Sequence, residues 1–251
     1  KAWEDGDPEK WMQEQFDKGW EDNVAKHKWL WEIHTSDEIE SMRLETEDLL
    51  QNFVKSVDKK LTEMVKWKIY KSKYQAWNAV APKYSEKWVK SKDYAVIGIV
   101  DAVCNDFEGG TTLIDYKTSK RYGPYLPEDY YRQLIIYAFL YTLEMGDMPK
   151  FVGVNYLRWD DTFFVRINQG VLDEAKEIIM FVHDCLKEKM EEVDNYEQVP
   201  QILCKWCSYW KGNGGPCDAE VPAWKPKGKS YKKSTVKSEN AVLSEEEFLS
   251  H

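Results

Sequence analysis

Two aspartates and a lysine carry the clearest chemistry in the chain. The stretch Gly98-Ile99-Val100-Asp101-Ala102-Val103 leads through a polar turn at Glu108-Gly109-Gly110 into Thr111-Thr112-Leu113-Ile114-Asp115-Tyr116-Lys117. Two β-rich runs about a Gly-Gly turn read as an antiparallel hairpin. A hairpin centred on residue 108 sets Asp101 opposite Asp115, and directly opposed side chains have Cβ atoms about 4.5–5.5 Å apart. Two carboxylates at that spacing repel each other unless they share a cation. Alternation puts Lys117 on the face of Asp115 and turns Ile114 and Tyr116 to the other. Such a set suits a hard divalent cation, Mg²⁺ or Mn²⁺, with an ammonium beside it to orient or help activate an attacking water and to offset phosphate charge. Alone, the same residues would also fit a surface hairpin whose Asp and Lys pair across solvent. The apolar flanks Val96, Ile97, Ile99, Val100, Val103, Leu113 and Ile114 make both strands largely buried, and a charged triplet at the edge of a core is costly unless paired or metal-bound.

A second centre lies late in the chain. Cys204-Lys205-Trp206-Cys207 and then Cys217, after Gly212-Asn213-Gly214-Gly215-Pro216, give three thiols, the first two at a spacing that lets both sulfurs grip one ion. Three ligands are one short of the usual four, so a metal and free thiols both stay open. Cys104 and Cys185 stand alone and read as buried residues.

These groups must be positioned by the elements around them. Pro8 to Trp31 reads as a helix with an Asp-Pro start, followed by a Thr35-Ser36-Asp37 cap and a long amphipathic helix to about Lys73. Its stripe is Leu44, Leu49, Leu50, Phe53, Val54, Val57, Leu61, Met64 and Val65. Strands are expected at Trp77 to Val80, Lys83 to Val89, Tyr94 to Val103 and Thr111 to Lys117. A helix over Asp129 to Glu144 closes at Gly146, a hairpin joins Phe151 to Arg158 with Thr162 to Ile167, and Val171 to Glu192 is a further helix. The order gives a mixed α/β, α+β core with helices on the sheet faces. The chain divides into a helical region 1–74, a core 75–200, a cysteine segment 201–220 and a tail 221–251. Six lysines between Trp224 and Ser238 make the tail basic before it turns acidic at Glu239 to Glu247. A solubilising end, a nucleic-acid contact and a docking peptide for a protein partner all fit it.

Composition sets the class. With 43% hydrophobic and 31% charged residues and 12 Trp among 251, the bulk of the chain should fold as a globular protein. Its apolar runs are far shorter than the ~20 residues of a membrane helix. The start Lys1-Ala2-Trp3-Glu4-Asp5 has no secretory layout and no initiator Met, so further residues are expected upstream. An odd count of five cysteines favours a reduced, cytoplasmic setting. A net charge of -9 weighs weakly against a nucleic-acid enzyme, since a local groove can still be basic.

Gly98-x-x-Asp101, Ile114-Asp115-Tyr116-Lys117-Thr118 and Gln133-Leu134-x-x-Tyr137-Ala138 resemble, in order, the motifs of the RecB-like PD-(D/E)xK nucleases, which include AddB-type and CRISPR-associated exonucleases and phage relatives. The resemblance covers about Glu86 to Tyr141. It implies a restriction-endonuclease-like core, Asp101 and Asp115 as metal ligands with the Tyr116 backbone carbonyl, and Lys117 as the catalytic lysine. Gln133 and Tyr137, four apart on one helical face, would line the site or touch the DNA backbone; without the resemblance they read equally as helix surface and core. It further implies an upstream histidine ligand, for which His27 is the choice over His34, and a strand glutamate at Glu86. Cys204, Cys207 and Cys217 would hold a [4Fe-4S] cluster with a fourth cysteine upstream of Lys1, zinc being the alternative. The expected activity is Mg²⁺- or Mn²⁺-dependent DNA hydrolysis, exonucleolytic at ends or on single strands, in recombination, replication or repair, and in a host cytoplasm if phage-encoded. A non-catalytic nucleic-acid- or protein-binding scaffold is the alternative, and a site-specific endonuclease would need a base-reading element absent from this reading.

Overall fold

The computed structural model describes residues 6–105, 110–119, 125–189, 200–220 and 242–244. Residues 1–176 with 237–251 make one compact unit, and residues 177–236 another.

The first unit opens on helices. Asp7 caps α1 (Pro8–Lys26) by accepting from the Lys10 N–H, and Pro8 takes the first turn, where a missing N–H is harmless. One helix to Trp31 is expected, yet α1 breaks at His27 and a separate turn, α2 (Lys28–Trp31), follows. No Gly or Pro lies there to force the break. The Trp20 and Trp31 rings pack at 5.3 Å across it, a tertiary contact that overrides helix propensity.

Helix α3 (Ser36–Lys66) starts from a capping box: the Thr35 hydroxyl accepts the Glu38 N–H at 3.3 Å, and the Glu38 carboxylate accepts the Thr35 N–H at 2.8 Å. Leu49, Val54, Leu61 and Met64 of its apolar stripe are buried, whereas Leu44 is exposed. The helix ends at Lys66 rather than near Lys73, because Trp67 caps it and Lys68 turns to φ 60°. A Ser72 cap then starts α4 (Lys73–Val80). Trp77 to Val80, expected as a strand, is therefore the last turn of a helix. Ala76 is fully buried with Leu61 and Met64, and Trp77 and Val80 pack on that cluster. So short an apolar run has no period that separates strand from helix.

The strands β1 (Tyr84–Ser91), β2 (Val96–Asn105), β3 (Thr111–Lys117), β4 (Phe151–Tyr156), β5 (Asp161–Arg166) and β6 (Val242–Ser244) form one sheet in that order. Every neighbouring pair is antiparallel except β3 and β4. A parallel pair needs a crossover, and α5 (Glu128–Met145) supplies it, closing at Gly146 with φ 71°. Leu134, Ile135 and Ala138 of α5 are buried, as are Val103, Leu113, Val152 and Val154 of the sheet. Helix α6 (Gln169–Lys189) follows β5. The result is the mixed sheet with flanking helices and a helical N-terminal part that the sequence leads one to expect. In the stretch read as a tail, Val242–Ser244 pairs with β5; residues 221–241 and 245–251 lie outside the described residues.

The second unit contains two 3-10 turns, Ile202–Trp206 and Lys211–Asn213. Asn213 Nδ2 ties them by donating to the Lys205 and Cys207 carbonyls at 2.8 and 3.0 Å. Among the described residues no helix is long and apolar enough to cross a membrane.

Candidate active site

The β2–β3 ladder runs from Asn105 opposite Thr111 to Ala102 opposite Ile114, and one further step brings Asp101 opposite Asp115, as the hairpin centre requires. Backbone pairing stops there and a side chain takes over: Asp101 Oδ2 accepts the Tyr116 N–H at 2.7 Å. On the other edge of β3 the Lys117 carbonyl accepts the Leu157 N–H at 3.1 Å. Alternation therefore turns the Tyr116 N–H and carbonyl toward β2, on the side of Asp101.

Strand β2 is irregular at this point. Val103 shares a face with Leu113, and hence with Lys117 and α5, because directly opposed residues do. Gly98 also meets α5, although alternation would put it on the opposite face: a Cβ built on it would lie 2.8 Å from a Tyr137 ring carbon. The distortion lies between them. Glu86 has φ 51°, and the pair 86–101 is missing from an otherwise continuous β1–β2 register. A non-glycine residue in that region costs about 1–3 kcal/mol, and such outliers cluster at functional sites. Glu86 itself is exposed on the edge strand, opposite Asp101.

Asp115 is 3% exposed. Burial pushes its carboxyl pKa up, the Lys117 ammonium pulls it down, and the Asp101 carboxylate adds to the rise. Lys117 Nζ stands 2.7 Å from Asp115 Oδ2, close enough for an ion pair but out of line for a hydrogen bond, so that buried oxygen has no directed donor. The lysine is oriented instead by α5. Its Nζ donates to Gln133 Oε1 at 3.0 Å, and Gln133 Nε2 donates to the Tyr137 hydroxyl at 2.8 Å. The glycine, aspartate, lysine and glutamine-tyrosine motifs thus meet in one network: Gly98 admits Tyr137, which holds Gln133, which holds Lys117 beside Asp115. Sequence reasoning missed Tyr130, whose ring lies under Lys117 Nζ at 4.7 Å to the centroid. Its place three residues before Gln133, on the same helical face, is the signal that could have found it.

The other face of β3 is different. Thr112, Ile114 and Tyr116 line a cavity of about 390 Å³ together with Phe53 and Leu61 of α3, and the Tyr116 ring meets Phe53 edge-on at 5.7 Å. Burial drives the Tyr116 phenol pKa up. Asp115 and Lys117 point away from this cavity, so it is not the candidate site.

Among the described residues no three His, Cys, Asp or Glu side chains gather to hold an ion. His27, at the break between α1 and α2, does not join Asp101 and Asp115. Nor do Cys204, Cys207 and Cys217 converge, contrary to the expected cluster: Cys204 Sγ accepts the Gln201 N–H at 3.3 Å, Cys207 is exposed, and all three are free thiols. The glycine-rich turn before Cys217 is fixed by its own backbone bonds, with Gly215 N–H donating to the Trp210 carbonyl at 3.0 Å. These thiols do not fit an iron-sulfur or zinc centre as they stand. A hard divalent cation does fit the carboxylates, since Asp101 and Asp115 offer oxygens and the buried Asp115 Oδ2 lacks the directed partner a cation would supply.

A family model described as the PD-(D/E)XK nuclease superfamily matches residues 3–211. No curated protein matches the chain. Among solved structures, it is similar to a protein from Eubacterium rectale provisionally named an exonuclease, at 16% identity and a TM-score of 0.34, with 66% of this chain and 63% of that chain covered.

Proposed function

The chain belongs to the PD-(D/E)XK nuclease superfamily, and on that premise we propose that it is a divalent-metal-dependent exonuclease that degrades DNA from ends or as single strands. The observation that carries this reading is the network around Lys117: a buried carboxylate at 2.7 Å, a second carboxylate on the opposed strand, and a glutamine at 3.0 Å that aims the ammonium. Asp101, Asp115 and the Tyr116 carbonyl would hold Mg²⁺ or Mn²⁺. When bound, the cation would polarise the scissile phosphate and lower the pKa of an attacking water.

The side chains divide the remaining work. Lys117, already aimed by Gln133, orients the attacking water and offsets charge developing on the phosphate oxygens. Asp101 Oδ2 accepts the Tyr116 N–H, which leaves Oδ1 as the oxygen Asp101 would offer to the cation. Tyr137 keeps Gln133 in the rotamer that reaches Lys117. The cell interior, DNA as substrate and a protein partner for the C-terminal stretch belong to the same proposal.

The test is hydrolysis of 5′- and 3′-labelled linear single and double strands, with circular DNA and RNA in parallel, in Mg²⁺ or Mn²⁺. Short products from linear DNA and intact circles are the expected result, with loss of activity in Lys117→Ala and in EDTA. Cut circles would make the enzyme an endonuclease. A folded wild-type protein that hydrolyses none of these polymers would refute the reading and return the chain to a binding role.

A further inference from the structure

The lysine of the candidate site is held by more than its carboxylate and its glutamine. Tyr130 stands at the start of α5, three residues before Gln133, and these two side chains approach the same ammonium. Gln133 Oε1 takes one N–H at 3.0 Å, while the Tyr130 ring centroid lies 4.7 Å from Nζ. A cation that close to an aromatic face is attracted by the ring quadrupole, and the attraction strengthens where water is scarce. Water is scarce here: the Lys117 side chain is 20% exposed and that of its partner Asp115 5%. The ring is itself placed from behind, packed against the buried Tyr156 of β4 with centroids 6.2 Å apart. Tyr156 pairs with Lys117 across the parallel ladder, so ring and lysine are set by adjacent strands of one sheet.

We infer that Tyr130 is a positioning residue for Lys117, its ring face forming the third wall, with Asp115 and Gln133, of a cage that fixes the ammonium. A hydrogen bond at 3.0 Å limits where Nζ lies but leaves the four-carbon stem free to pivot about it. The ion pair with Asp115 is out of line and adds little direction. The ring closes the remaining side without a second hydrogen bond, which leaves two of the ammonium's three N–H groups for the reacting oxygens. What matters is the π face and not the phenol oxygen, so phenylalanine should serve and an aliphatic residue of similar size should not.

This inference rests on the nuclease reading for its kinetic consequence but not for its geometry, and two measurements separate them. The first is NMR of the Lys117 side chain, which needs no activity. Its terminal methylene protons should be shifted upfield by the ring, keep that shift in Tyr130→Phe and lose it in Tyr130→Leu. The second is steady-state hydrolysis. Tyr130→Leu should lower kcat by about tenfold with KM within about threefold, and Tyr130→Phe should stay within about threefold of wild type. An unshifted Lys117 resonance in the wild type overturns the cage, whether or not the protein cleaves DNA. So does a Tyr130→Phe variant as impaired as Tyr130→Leu, which would move the role to the hydroxyl or to packing. An inactive wild type with the ring shift present would sink the nuclease reading alone.

Discussion

Gly98→Ala adds one methyl group to a strand, a change that elsewhere favours the fold by about 0.5–1 kcal/mol through lost backbone freedom. Here the methyl would stand 2.8 Å from Tyr137 Cε1 and 3.0 Å from Cδ1, whereas carbon atoms settle at about 3.5–4.0 Å. The ring has to retreat by about 0.5–1 Å. It is not a free end, because its hydroxyl accepts from Gln133 and Gln133 accepts from Lys117. Overpacking of this kind costs about 1–3 kcal/mol, which at least offsets the entropic gain and leaves a net loss of up to about 2.5 kcal/mol. In a chain of this length that is a fall of up to roughly 10 °C in Tm. The kinetic loss should be larger in proportion, since a displacement of about 1 Å at a reacting group can cost about 100-fold and Lys117 sits two contacts from the ring; a decrease of about 10- to 100-fold is expected. Initial rates on labelled linear DNA in Mg²⁺, paired with thermal melts in EDTA, measure both. Adding Tyr137→Leu to Gly98→Ala should recover Tm by removing the clash and leave the rate low, because leucine offers Gln133 no acceptor. A Gly98→Ala protein that melts and cleaves like wild type would refute the coupling.

Three further outcomes follow from the geometry. In EDTA, Asp115→Asn should melt higher than wild type at neutral pH: the folded carboxyl titrates above its ordinary value, so its ionised form penalises the fold, and the variant's advantage should shrink as pH falls toward about 4. An advantage that grows on acidification would contradict the sign. Burial pushes the Cys104 thiol pKa up to about 11, so iodoacetamide at mild alkaline pH should label exposed Cys207 in the native protein and leave Cys104 until unfolding, read by peptide mass spectrometry. Thr35→Ala removes the hydroxyl of the α3 capping box and should lower urea stability by about 1 kcal/mol; an unchanged midpoint would mean that the α3 start is held by packing alone.

The register of the carboxylate hairpin was legible because strand alternation has only one slip that buries the apolar set, and a Gly-Gly turn near 109 leaves one centre. The bounds of β3 and the αL stop of α5 at Gly146 were equally plain, each carried by a local signal. What failed was set by contacts distant in sequence. The break at His27 answers to Trp20 and Trp31, and the helical state of Trp77 to Val80 to the buried Leu61 and Met64. The three cysteines look like a metal site because spacing is visible in a sequence whereas convergence is not. Tyr130 was missed for the opposite reason: its signal, a helical i, i+3 spacing from Gln133, is one that many unrelated residues share.

The short strand at the far end of the sheet bears on colloidal behaviour rather than on chemistry. An exposed strand edge is a row of open N–H and C=O groups on which another chain can build. At one margin β1 carries the exposed Lys90, a guard by charge. At the other, β5 presents Phe163, Phe164 and Val165, all buried and none charged, and the guard is the three residues Val242–Ser244 laid along them. A chain shortened before Val242 would keep Asp101, Asp115 and Lys117 in place and open an apolar margin to its neighbours. The expected defect is self-association that rises with concentration, through the β5 edge that Val242–Ser244 cover.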